Sequence, residues 1–297
     1  MRRLSWLFFA VALMLQALFM QWVLMRPVHA APIIFRSSDQ SLVTREVFIK
    51  DLRSADVVIL GELHDNPHHH QIRGELIQTL ARPSLRVLAE HLTRSQSVSF
   101  GPDLLTSLQA AGFSDKAWAW PIHEPLFKAI QSSGLGLWGA NLSAEESNQA
   151  FKTRGESLPP VLRKMLTQAP FSDQQRQALE QELMESHCGA LPQSMLPGML
   201  WAQRGRDAAM AFAAAESLPS VLLAGNGHAW RHVGVPQILS ASHPQIRVVS
   251  VLFVENEGTP AQMQGRLRQE KAALRSDYVW STAAVDRPDP CLAFKKK

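Results

Sequence analysis

Apolar residues fall in short runs along this chain, and the runs end in similar ways. Val57-Val58-Ile59-Leu60 is compact and mostly β-branched, which predicts a strand buried on both faces. Gly61-Glu62-Leu63-His64 follows, then Asp65-Asn66-Pro67. Asp65 or Asn66 can cap a helix there, and Pro67 suits its first turn. The pattern recurs. Leu85 to Ala89 runs into Glu90-His91, Leu135 to Gly139 into Ala140-Asn141, and Ser220 to Ala224 into Gly225-Asn226-Gly227-His228. If these strands lie side by side in a parallel sheet, Glu62, His64, Glu90, His91, Asn141 and His228 converge on a crevice at their carboxyl ends.

Helical spacing fills the gaps. Thr44 to Ala55 places Val47, Phe48 and Leu52 on one face, and His68 to Leu80 repeats Ile72, Leu76 and Leu80 at every fourth position. Strand, helix and strand from Val57 to Ala89 make a minimal βαβ unit. Two stretches depart from it as helical insertions, near 93–133 and 144–216. The first ends in a helix from Glu124 to Gln131. The second holds a helix starting at Pro159-Pro160, another capped by Ser172, and a long one from Gln193 to Glu216 interrupted by Pro197 and two glycines. Gly234-Val235-Pro236 opens a short helix, Arg247 to Val254 reads as a further buried strand, and Pro32 to Phe35 and Asp277 to Trp280 as edge strands. The expected fold is α/β, three-layered, with a mostly parallel central sheet.

Composition bears mainly on location. Arg2 and Arg3 precede an apolar run from Leu4 to Met25, and Val28-His29-Ala30 ends in a small residue. Residues 1–30 thus read as a signal peptide, cleaved after Ala30, or as an uncleaved membrane anchor. Either delivers residues 31–297, expected as a single domain, across a membrane. Three arginines of this segment account for most of the formal charge of +4. The Lys295-Lys296-Lys297 end reads as a solvated tail, and no basic–aromatic surface predicts nucleic-acid binding. Cys188 and Cys291 are the two cysteines; an oxidising compartment permits their disulfide, but sequence does not bring them within reach.

The candidate chemistry lies at the strand ends. Glu62, His64, Glu90, His91 and His228 offer carboxylates and imidazoles for a divalent metal ion. Glu62, His64, Glu90 and His228 alternatively form a hydrolytic set, with a carboxylate-polarised histidine as general base on water. A plain hydrogen-bond network is the third account. His68-His69-His70 cannot share one helix face, since successive residues are about 100° apart, and they read mainly as a solvated helix start. His187 beside Cys188, and Tyr278, the one tyrosine, are further possible metal or haem-iron ligands.

These motifs resemble a known family. Gly61-Glu62-Leu63-His64-Asp65-Asn66-Pro67-His68-His69-His70 resembles the opening motif of the ChaN-like haem-binding uptake proteins. Gly225-Asn226-Gly227-His228, with Gly234-Val235-Pro236 after it, resembles their later glycine–histidine motif. Gln203 to Ala211 and Asp277 to Trp280 fit the same pattern, so the resemblance covers most of residues 50 to 281. The wider superfamily includes Tiki proteases, TraB-like proteins and erythromycin esterases. The resemblance implies haem as cofactor and cargo and iron acquisition as function; a homodimer and an outer-membrane haem uptake system are the expected partners. It also implies roles for Glu62, His64, Glu90 and His228. The sequence departs from the family twice: its targeting segment has no cysteine for a lipobox anchor, and its second strand ends Glu90-His91 where the family commonly has Glu-Met.

A haem site needs an apolar wall, an iron ligand and cations at its rim. Met195 to Met210 and Trp118, Trp120, Trp201 and Trp230 are candidate walls. Arg204, Arg206 and Arg231 are candidate propionate partners. Tyr278, His187 and His232 compete for the iron, which is expected to bind outside the Glu62–His64–His228 cluster.

Overall fold

The computed structural model describes residues 32–256, 258–269 and 275–293. The targeting segment, its cleavage after Ala30 and the Lys295–Lys297 tail lie outside the described residues. Residues 31–297 form one compact unit.

A nine-stranded sheet runs through that unit in the order β2-β1-β9-β8-β3-β7-β4-β6-β5. Its strands are β1 Ile34–Arg36, β2 Ser41–Leu42, β3 Val57–Leu60, β4 Arg86–Thr93, β5 Ser97–Val98, β6 Leu137–Asn141, β7 Ser220–Leu223, β8 Val248–Asn256 and β9 Tyr278–Ala283. The six central strands from β9 to β6 are parallel, and the outer β1, β2 and β5 are antiparallel to their neighbours. The four apolar runs with polar ends lie side by side as β3-β7-β4-β6. In register, Leu60 pairs with Leu223 and Leu223 with Ala89, so their polar continuations leave the sheet at one level.

Alternation along the strands divides the core. Val58, Leu60, Val87, Ala89, Val221 and Leu223 face one cluster, with Phe48, Leu76, Ile77, Leu126 and Phe127. These come from α1 (Arg45–Arg53), α2 (Pro67–Leu80) and α4 (Glu124–Ser132). Val57, Ile59, Leu88, Leu222 and Ala224 face the other, with Leu162, Ala208, Met210 and Ile238. These come from α6 (Pro160–Gln168), α8 (Leu196–Ala215) and α9 (Val235–Ser242). The sheet is therefore the middle of three layers. Each fully buried Leu, Ile or Val of its centre contributes roughly 1.5–3 kcal/mol by leaving water.

Several expectations need revision. β9 is not an edge: it lies between β8 and β1, and β2 covers β1 in turn. Val47 is 40% exposed and Ile49 takes its expected place in the core, because the buried face of α1 is set by Phe48, Ile49 and Leu52. α8 is continuous. Pro197 falls in its first turn, where no amide hydrogen is needed, and Gly198 and Gly205 let Phe151 and Leu158 pack closely against the helix. Within the insertions lie β5, α3 (Leu104–Ala110), α5 (Ala144–Thr153) and α7 (Asp173–Ser186); α10 (Pro260–Gln269) follows β8. Ser172 caps α7 through a full capping box with Gln175. Cys188 and Cys291 are joined by a disulfide with Cα atoms 5.5 Å apart.

Candidate functional site

The site follows from continuing the same alternation past the strand ends. Glu62 keeps the parity of Val58 and Leu60, so its side chain goes to the α2 face. β4 runs on through Glu90 and His91, which sends His91 to that same face and Glu90 to the α8 face. The crevice is thus two adjoining clusters, one on each side of the sheet. Gly61 permits the closure between them. A Cβ there would lie 2.9 Å from the Val251 carbonyl oxygen and overlap the Asn226 side chain. Asn226 in turn bridges β7 to β8, donating to the Phe253 carbonyl at 2.7 Å and accepting from its amide at 3.2 Å.

On the α2 face, Glu62 is 1% exposed and sits among cationic or neutral nitrogen groups. Its Oε1 is 2.7 Å from His64 Nδ1, 3.6 Å from His91 Nε2 and 3.8 Å from His123 Nε2. Its Oε2 pairs with the Arg73 guanidinium and lies 3.1 Å from His70 Nδ1. His70 donates through Nε2 to the His64 carbonyl, 2.9 Å away; a carbonyl only accepts, so this nitrogen carries the proton. His69, one residue earlier, accepts the Leu63 amide at Nδ1 and meets Thr282 at Nε2. The helix start is therefore not solvated. His69 and His70 are fully buried and only His68 is exposed, since the Asn66 cap tucks the first turn under the sheet edge. Burial pushes His69 down to about 3 and His70 down to about 4, and lowers His91 strongly. All three are neutral at pH 7.

On the α8 face, Glu90 accepts from the Gly225 amide at 2.7 Å, pairs with Arg206 and lies 3.3 Å from His228 Nε2. The other nitrogen of His228 meets Asp207 at 2.6 Å. Burial disfavours the charged ring, yet Glu90 and Asp207 outweigh it and push His228 up to about 9. His228 is an imidazolium held between two carboxylates. For Glu90, burial opposes ionisation, but His228 and Arg206 hold it well below the usual carboxylate range.

His64 joins the two clusters. A Cβ on Gly225 would fall 2.8 Å from its Nε2 and 3.6 Å from Glu90 Oε2, so only glycine lets the ring lie here. Its side chain is half-exposed, edge-on to Trp118 at 5.1 Å, and burial of the remainder lowers its pKa. With Nδ1–H donated to Glu62, Nε2 keeps its lone pair on the Gly225 side.

The structure brings Glu62, His64, Glu90, His91 and His228 into one crevice but not around one point. Glu62 and His91 belong to one face and Glu90 and His228 to the other, so the five do not form a single metal-ligand set. Among the described residues, the group able to hold an ion is Glu62, His91 and His123, whose ligand atoms lie within 4.8 Å of one another. Sequence reasoning missed Arg73 and His123. The signal for Arg73 was present: His70, Arg73, Ile77 and Leu80 recur at helical spacing, so two polar residues share the buried face of α2.

The remaining candidates lie elsewhere. Tyr278 is 3% exposed, packs edge-on against Phe48 at 5.0 Å and donates its hydroxyl to Asp51, so it is not an open iron ligand. Arg206 turns inward to Glu90 and Asn141 rather than to a rim, because the buried carboxylate draws it. His187 caps the end of α7 with Nδ1 on the Leu183 carbonyl. His232 and Arg231 are exposed and line a hollow of about 440 Å³ with Gln175 and Asp277; Arg231 pairs with Asp277 at 2.9 Å.

The architecture defines an α/β protein with its ionisable crevice at the carboxyl ends of parallel strands. Residues 48–239 match the family model described as haem-binding uptake, Tiki superfamily, ChaN. The chain belongs to that family. Among solved structures, ChaN of Campylobacter jejuni, described with cofacial haem binding, is 20% identical. It covers 85% of this chain, with 97% of its own length aligned and a TM-score of 0.67. The type III effector HopBA1 is 13% identical, with 81% of this chain and 93% of that one covered and a TM-score of 0.42. No curated protein matches the sequence.

Proposed function

We propose that this protein binds haem in an exported uptake system, serving haem and iron acquisition at the outer membrane. The observation that carries this reading is the family match over residues 48–239, which includes both glycine–histidine turns. The second insertion supports it with a cavity of about 470 Å³. Leu166, Phe171, Leu200 and Trp201 give it an apolar wall, and Arg154, Arg163, Arg176 and Arg204 line it as cations. Its size falls in the range of small-molecule pockets, and its chemistry suits a flat apolar ring carrying carboxylates. His232 is an exposed imidazole of the hollow that Gln175 also lines; its backbone carbonyl accepts from Gln175, the residue before Arg176 of this cavity. His232 is therefore the first candidate for the iron, with His187 next and Tyr278 last, and Arg231 is a propionate partner beside it.

Titration of the purified protein with haemin tests the reading. A saturable shift of the Soret band is expected, with faster haem loss in the Arg163→Ala/Arg176→Ala pair and a changed spectrum in His232→Ala. Sedimentation with and without haemin tests the homodimer. Without a saturable shift, haem binding is refuted.

The second reading is hydrolysis at the crevice, favoured by the His64 geometry: a half-exposed ring oriented by a carboxylate through Nδ1, with Nε2 unprotonated. Turnover of an ester or peptide substrate, abolished in His64→Ala with haem binding intact, would establish it.

A further inference from the structure

The buried histidines on the α2 face have no role in either reading. His91 and His123 are 5% and 1% exposed, and neither nitrogen of either ring has a hydrogen-bond partner. Leaving such a group dry and unpaired is costly, and buried polar atoms are ordinarily satisfied. The two rings are not scattered. They come from β4 and from the loop before α4, with ring centroids 4.9 Å apart, and both aim Nε2 at the same oxygen, Glu62 Oε1. Each neutral imidazole keeps one N–H that could turn to Glu62, but at 3.6 and 3.8 Å neither ring makes that hydrogen bond, and a cation among the three would satisfy both rings and Oε1.

We infer that Glu62, His91 and His123 form a binding site for a divalent first-row transition metal, separate from Glu90 and His228. The donor set is two imidazoles and one carboxylate, which suits Zn²⁺ or Fe²⁺. The spacings suit it as well. In a tetrahedral site with bonds of 2.0–2.1 Å, ligand atoms stand roughly 3.3 Å apart. Here His91 Nε2 and His123 Nε2 are 3.6 and 3.8 Å from Glu62 Oε1. The three ligand atoms all lie within 4.8 Å of one another, so binding a metal draws them closer together.

The division of labour on Glu62 fits the same picture. Arg73 and His70 occupy the Oε2 side, and the His70 ring is fixed by the His64 carbonyl. Oε1 is left to the two orphan imidazoles and to His64 Nδ1, which is 2.7 Å away. His64 is the half-exposed member and gives the site its side toward solvent. Phe127 lies 5.3 Å from the His91 ring and Trp118 4.2 Å, so the wall around His91 is aromatic. Arg73 is the competing cation, and a Glu62–Arg73 ion pair without metal is the outcome in which the stripped and reloaded chain retains none.

Metal content and haem binding are measured separately, so the two readings fail independently. The whole chain is stripped with chelator, dialysed against Zn²⁺ and analysed for bound metal; Co²⁺ is loaded in parallel for its ligand-field absorption. The expected result is one metal per chain, an absorption of four-coordinate type, and a melting point that falls with chelator and returns with Zn²⁺. His91→Gln and His123→Gln should each lose the metal, and His68→Gln, on the exposed side of the start of α2, should keep it. Should the ligand variants not fold, the reversible chelator effect on the unmodified chain decides. No retained metal, or a melting point indifferent to chelator and Zn²⁺, overturns the site. So does a metal that persists in the His91→Gln/His123→Gln pair.

Discussion

Raising the pH through the alkaline range should weaken the fold by a predictable amount, and His228 is the cause. Its pKa moves from an ordinary 6.5 to about 9 in the folded protein. At about 1.4 kcal/mol per unit, the shift corresponds to roughly 3 kcal/mol of stability. The direction follows from proton counting. The folded pKa is the higher one, so between 6.5 and about 9 the folded chain holds a proton that the unfolded chain has released. Stability is fully present below 6.5 and is lost as pH rises toward 9. The other buried histidines do not interfere there. His64, His69, His70, His91 and His123 have lowered pKa values, so above about pH 7.5 they are neutral in both states. From about pH 7.5 to 9.5, roughly 2 kcal/mol should therefore disappear, with a steepest slope of about 1.2 kcal/mol per pH unit. Urea unfolding at closely spaced pH values, in the presence of chelator, measures it as a falling midpoint at constant m. The His228→Gln/Asp207→Asn pair removes the ring and the carboxylate that shares its proton, and should flatten the profile. A wild-type profile that is already flat, or a slope that survives in the pair, would refute the imidazolium between Glu90 and Asp207.

Two further perturbations read other parts of the fold. Cys188→Ser/Cys291→Ser opens a covalent loop with a sequence separation of 103 residues, for which the chain-entropy account gives about 4–5 kcal/mol; a loss of at least about 2 kcal/mol in urea unfolding is expected, and an unchanged midpoint would count against it. Gly61→Ala drives a methyl group into the Val251 carbonyl and the Asn226 side chain, and should cost about 1–3 kcal/mol by thermal unfolding, whereas Gly265→Ala, with open space around it, should not destabilise.

Much of the sheet was legible because its strands are short apolar runs with turn residues after them. β3 and β7 begin and end within a residue of the expected bounds. β4 was read too short, since Glu90 and His91 look like the start of a loop and yet continue the strand as Leu92 returns to the core. That misreading hid the division of the crevice, because only a continued strand sends neighbouring residues to opposite faces. β9 was placed at an edge because its apolar residues give no hint of which strands flank them; that is set by the return of β1. Partners far apart in sequence were equally hidden. Asp207 meets His228, and His123 faces Glu62, only through tertiary packing, and nothing in local spacing predicts either pair.

The position of β9 has a consequence in time. Residues 278–283 lie between β8 and β1, so residues 34–36, made early, have no lasting neighbour on that side until residues 278–280 have been made. A nascent chain stopped before Tyr278 would present the bare flank of β8 from Val251 to Asn256 as a sticky ribbon. The fold thus cannot close in the order in which it is synthesised. Its late segment acts as a keystone, and a chain passing through a narrow channel would stay open until that segment arrived.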